Sequence, residues 1–170
     1  EGYMDVISLY DKNIKTAVAP LGTSLTDSHL LLSWKYVNKP TLMFDGDSSG
    51  LKASFKSALM SLPYLTPSKL LQFIVLPNEY DPDTYINKFT LSQFVNYLKN
   101  PLSIVDFIFQ QSSKSIDLQK SDNKVIFDNY IDEIVNNIKD TKIKYFYKNE
   151  FKTLFFNKLK SFSSKKQSIK

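Results

Sequence analysis

In residues 1–100 short apolar runs alternate with segments of helical spacing, and that alternation restricts the fold more than any other feature of the chain. Lys15–Pro20, Pro40–Phe44 and Leu70–Leu76 are apolar runs of strand length bounded by turn-forming residues, which is the pattern of buried strands. Between them the period changes. Gly2–Tyr10 reads as a helix. Thr26–Val37 is a second, with Ser24 or Thr26 placed to cap it before Leu30, Leu31 and Trp34. Ser49–Leu62 is a third, because Leu51, Phe55, Ala58, Leu59 and Leu62 recur at three- and four-residue spacings. Asp83–Phe89 opens a fourth. Strands that alternate with helices are joined by right-handed crossovers, so the expected class is α/β with a mostly parallel sheet flanked by helices.

The pattern changes beyond residue 100. Val125, Phe127, Tyr130, Ile131, Ile134, Val135 and Ile138 keep helical spacing, and Ile143, Tyr147, Phe151, Leu154, Phe155 and Leu159 keep it again, with a break near Asp140-Thr141. Ser112–Asn123 is polar and reads as a connection. The expected organisation is an α/β domain over 1–100, a small all-α helical subdomain over 101–160, and a disordered basic tail over 161–170.

Composition removes several chemistries. There are no cysteines, so disulfides, thiolate zinc sites and cysteine nucleophiles are excluded within these 170 residues. One histidine, His29, excludes any site needing two imidazoles and sits on a polar helix edge. No apolar run reaches the roughly 20 residues of a membrane helix. All 22 basic residues are lysine, so a phosphate must be met by a point charge or by backbone N–H groups rather than by a guanidinium fork. Charge is uneven: residues 1–100 carry 9 lysines against 9 acids, whereas residues 139–170 carry 10 lysines against 2 acids. A basic end of that kind suits a polyanion, and also suits a solvated helix face.

Three acidic clusters fall in the first half: Glu1 with Asp5, Asp45-Gly46-Asp47, and Asp81-Pro82-Asp83. The last two follow predicted strands. In open α/β sheets the carboxyl edge of the strands is the ligand crevice. Carboxylates gathered there repel one another unless a cation neutralises them. Oxygen donors without thiolate or paired imidazole select Mg²⁺ or Mn²⁺, which hold substrate phosphates through their remaining positions. A pair of such ions stabilises both oxygens of an in-line phosphoryl displacement. The residues alone therefore point to metal-dependent chemistry on a phosphate ester or anhydride.

Four segments in this order resemble the Toprim domain of bacterial DnaG-type DNA primases: Glu1-Gly2-Tyr3-Met4-Asp5-Val6, Val18-Ala19-Pro20-Leu21-Gly22-Thr23-Ser24-Leu25-Thr26, Phe44-Asp45-Gly46-Asp47-Ser48-Ser49-Gly50-Leu51-Lys52-Ala53, and Leu76-Pro77 with Asp81-Pro82-Asp83-Thr84. Residues 101–160 are similar, less specifically, to the helical subdomain that follows Toprim in these proteins. The family commonly carries basic residues where Ser48-Ser49 stand here. Its first strand, amino-terminal subdomain, zinc module and helicase-binding domain have no counterpart in the 170 residues. The expectation is a fragment of a longer or split product, poorly stable and inactive by itself.

The resemblance implies synthesis of short RNA primers on a single-stranded DNA template from NTPs, by Mg²⁺-dependent (or Mn²⁺-dependent) nucleotidyl transfer. It implies Glu1, Asp45 and Asp47 as catalytic metal ligands, with Asp5, Asp81 and Asp83 in the same cluster. Lys52, Gly22 and Thr23 are candidates for nucleotide or nucleic-acid phosphate. It further implies no zinc in this stretch, a replicative helicase partner reached through another domain, no membrane, a monomer, and a bacterial cytoplasmic location at the replication fork. Two alternatives remain open: Toprim-type nuclease or topoisomerase-like phosphodiester chemistry, and non-catalytic nucleic-acid binding by Lys139–Lys170.

Overall fold

The computed structural model describes residues 2–20 and 24–167, the side chains of 163–167 aside. Helix α1 (Tyr3–Asp11) and α2 (Asp27–Ser33) precede strand β1 (Thr41–Phe44). Helix α3 (Ser48–Ser61), followed by one 3-10 turn at Leu62–Tyr64, returns the chain to β2 (Gln72–Val75). Then come α4 (Pro82–Lys88), α5 (Leu91–Leu98), β3 (Leu102–Ser103), α6 (Ile104–Ser112), α7 (Ser121–Asn136) and α8 (Thr141–Gln167).

The sheet is ordered β1-β2-β3. β1 and β2 are parallel and in register from Thr41↔Gln72 to Phe44↔Val75, so α3 is the expected crossover. β3 is antiparallel to β2, with Phe73 opposite Leu102. The described sheet thus pairs mostly in parallel, as expected, with one short antiparallel strand added at its edge. The reason is local: α5 reverses the chain, and only two residues pair before α6 begins.

The Lys15–Pro20 expectation needs correction, because no strand is assigned there. A strand exists only where its N–H and C=O groups find a ladder. This segment stands apart from β1 across a cavity of about 510 Å³, with Thr16, Ala17 and Val18 on one wall and Thr41 and Met43 on the other. Val18 is accordingly 88% exposed.

One apolar core runs through both halves of the chain. Leu30 and Trp34 of α2, Ala58 of α3 and Phe73 of β2 pack with Phe107 of α6, Phe127 of α7 and Phe151 of α8. The Phe73 and Phe107 rings stack at 4.4 Å, and the Trp34 indole N–H donates to the Leu70 carbonyl at 2.8 Å. Fully burying a phenylalanine of this kind contributes about 2–3 kcal/mol. A smaller core of Leu9, Leu76, Tyr85, Ile86 and Phe94 lies beneath the carboxyl end of β2. It fastens α1, α4 and α5 to that end, and the Tyr97 hydroxyl locks it by donating to the Val75 carbonyl at 2.9 Å.

The segment expected to be a disordered tail differs as well. Helix α8 continues through Gln167, since Ser161–Gln167 contains neither proline nor glycine to stop it. Residues 168–170 lie outside the described part. No described helix is long and apolar enough to cross a membrane.

Candidate active site at the carboxyl edge of the sheet

Phe44 and Val75 are register partners, so β1 and β2 end side by side. The turns that follow are therefore neighbours. The Gly46 N–H donates to the Tyr80 carbonyl at 2.8 Å. A Cβ on Gly46 would stand 2.0 Å from the Pro77 carbonyl oxygen, and one on Gly50 would stand 2.3 Å from that of Asp45. Both positions therefore require glycine for backbone approach, not for an unusual dihedral angle.

That packing positions the acids. Asp47 caps α3, its Oδ1 accepting from the Gly50 N–H at 2.7 Å. A carboxylate is favoured there because the amino end of a helix carries partial positive charge. Asp45 is half-buried, and its Oδ1 is closed off from water.

The opposing turn, Pro77 to Tyr80, is closed by the Tyr80 N–H donating to the Pro77 carbonyl at 3.2 Å. Glu79 sits in it with φ 74°, a left-handed conformation that costs a non-glycine residue about 1 kcal/mol. Asp81 then caps α4, its Oδ1 accepting from the Thr84 N–H at 2.6 Å, with Pro82 at the first helical position.

Asp83 is tied to α1. Its N–H donates to Asp5 Oδ1 at 3.2 Å. Its own Oδ1 accepts from the Ser8 hydroxyl and from the Asn87 amide, the latter at 2.8 Å. Asp5 Oδ2 also accepts the Gly2 N–H at 3.0 Å.

Of the acids at 5, 45, 47, 81 and 83, Asp5 thus meets Asp83, and the Asp45–Asp47 turn abuts the Tyr80 turn that leads into Asp81. Glu1, Gly22 and Thr23 lie outside the described residues. Among the described residues no three acidic, histidine or cysteine side chains cluster tightly enough to hold an ion. The donor set nonetheless suits a hard divalent cation, being all carboxylate oxygen at a helix amino end. Lys52 is exposed on the outer side of α3, one turn beyond Asp47. His29 Nδ1 accepts the Thr26 N–H at 3.2 Å, so the imidazole helps cap α2. Ser8 and Asn87 escaped the sequence reading. The i, i+4 spacing of Asp83 and Asn87 was a legible signal, but nothing in the sequence pointed to Ser8.

The chain is similar to one known family and to several known proteins. The Toprim domain family matches residues 1–68. The DNA primase of Buchnera aphidicola (subsp. Acyrthosiphon pisum) is 37% identical over 144 residues, covering 85% of this chain and 25% of that protein. The DNA primase of Rickettsia felis is 31% identical over 159 residues, covering 94% and 27%. The chain thus spans about a quarter of the length of these relatives. Among solved structures, the E. coli primase catalytic core superposes with a TM-score of 0.80 at 29% identity, over 89% of this chain and 48% of that one. A DnaG primase catalytic domain bound to single-stranded DNA gives 0.81 at 29% identity, over 90% and 49%. The likeness to bacterial DnaG-type primases that the four sequence segments suggested therefore holds over about nine tenths of the chain.

Proposed function

We propose, for a chain similar to DnaG-type primase cores over nine tenths of its length, that it supplies the metal-binding part of a DNA primase. The reading is a DNA-directed RNA polymerase that makes short RNA primers on single-stranded DNA from NTPs. The observation that carries it is the Asp45-Gly46-Asp47 turn, wedged against the Tyr80 turn at the carboxyl edge of two parallel strands.

Asp45, Asp47 and Glu1 would hold Mg²⁺, with no zinc required. When bound, the divalent cation neutralises the triphosphate and favours ionisation of the attacking primer hydroxyl. The chain's own residues do the rest. The Gly50 N–H fixes the rotamer of Asp47. Asp5, through Asp83, braces α4 against α1, so the edge keeps its shape as charge accumulates. Lys52 offers a point charge toward phosphate. Residues 1–100 act as the Toprim unit and 101–160 as its helical subdomain. The template, NTPs and primer are the partners, together with a replicative helicase engaged through another part of the full protein, in the bacterial cytoplasm.

The test is a chimera carrying this chain in place of the matching stretch of the Buchnera primase. RNA primers should form on a single-stranded circle when NTPs and Mg²⁺ are present. Asp45→Ala should lower the rate by at least about a hundredfold with folding retained. Undiminished synthesis in Asp45→Ala, or cleavage of the circle without NTPs, overturns the reading.

A further inference from the structure

Helix α8 holds eight lysines and one acid between Thr141 and Gln167, yet large aromatic side chains stand on its water-facing side. Tyr145 is 64% exposed and Phe156 61%. With 3.6 residues per turn, Lys142, Tyr145, Asn149, Lys152, Phe156 and Lys160 fall on one stripe, and each of the six is exposed. Lysines and aromatics alternate along it, the two rings ~17 Å apart and the outer lysines ~27 Å apart along the axis.

Neighbouring groups shape this surface. Phe146 packs edge-on against Tyr145 at 5.3 Å, fixing one platform. Beside Phe156, a groove of about 310 Å³ is bordered by Lys124, Val125 and Asp128 of α7 and by Lys152 and Phe155 of α8. Asp128 is the acid on that border, and Lys124 and Lys152 line the groove with it. On one flank Lys148 pairs with Asp132 of α7 at 2.9 Å, which pins the two helices together.

We infer that this stripe binds single-stranded nucleic acid, with bases stacked on Tyr145 and Phe156 and phosphates met by Lys142, Lys152 and Lys160. Charge decides the occupant. A second copy would bring lysine stripes face to face, which like charge opposes. A polyanion gains from every lysine, and only one with exposed π-faces also uses rings that are otherwise left in water. The surface is built from α7 and α8 and shares no residue with the acidic edge, so it needs no divalent cation and stands apart from the proposed chemistry.

The experiment is fluorescence anisotropy of a labelled oligo-dT with the full 170-residue chain in EDTA at low salt, melting temperature being checked for each variant. Tyr145→Ala and Phe156→Ala should each weaken binding about tenfold, while Tyr145→Trp keeps it. Lys152→Ala should reduce the slope of log affinity against log salt by about one. Lys35→Ala, at an exposed lysine outside both sites, should bind as the parent does, which shows that the stripe and not net charge alone sets the affinity. The inference fails if the doubly substituted Tyr145→Ala/Phe156→Ala chain binds dT normally, or if heparin, which has no bases, loses as much affinity as dT does in that variant. It fails equally if an acidic peptide displaces dT at comparable concentration, or if no dT binding occurs at low salt.

Discussion

The acidic edge and the basic face of α8 are two charged regions of the molecule, and they are built in opposite ways. The edge is assembled from residues far apart in sequence: Asp5 meets Asp83 and Gly46 meets Tyr80. The Gly46–Tyr80 contact depends on the register of β1 with β2, and the Asp5–Asp83 contact on the packing of α1 against α4. The α8 stripe depends on one helix keeping its period, and its side chains project into water. A change at the edge should spread through the turns and the small core beneath them. A change on the stripe should stay where it is made.

Gly46→Ala sharpens that contrast most. The added methyl meets the Pro77 carbonyl at 2.0 Å, and backbone cannot step aside as a flexible side chain can. We expect a loss of about 3 kcal/mol in thermal or urea unfolding. Amide exchange should rise first in α4 and α5, while fluorescence of Trp34, the single tryptophan, which sits in the larger core, stays native. Parental stability in Gly46→Ala would mean the two turns are not in contact.

A smaller effect belongs to the helical end and appears only in base. Burial first, then the Glu150 carboxylate, push the Tyr147 phenol up to about 12 from its ordinary 10.0. The folded state therefore prefers the neutral phenol. That preference is fully present below about pH 10 and disappears as pH rises toward 12. Tyr147→Phe, which has no proton to lose, should match the parent at pH 7 and exceed it by up to about 2 kcal/mol near pH 12. Identical base denaturation curves would show that the phenol is not held in the dry interface between α8 and its neighbours.

How much of this was written in the sequence follows the same division. Local signals were readable. Asp81-Pro82-Asp83 marked the start of α4, the spacing of Leu51, Phe55 and Ala58 gave α3 to within a residue, and Thr41–Phe44 was a strand as expected. Helix α6 escaped notice because it is only nine residues long, and Ile104, Val105, Phe107, Ile108 and Phe109 crowd into six positions, a run too short to tell helix from strand by periodicity. Helix α5 carried a readable capping box in Thr90 and Gln93. Lys15–Pro20 has the composition of a strand, but composition does not supply a neighbour to pair with. The carboxylates at the edge were identifiable by type and position. Their bracing by Ser8, the left-handed Glu79 and the closeness of Gly46 to Pro77 were not, because all three follow from tertiary register.

The function we propose rests on uptake of a divalent cation by the acids at the carboxyl edge. Mn²⁺ titration followed by electron paramagnetic resonance, on the parent chain and on Asp45→Asn and Asp47→Asn, tests it directly. We expect saturable binding that weakens at least about tenfold in each variant. Equal affinity in all three proteins would contradict it.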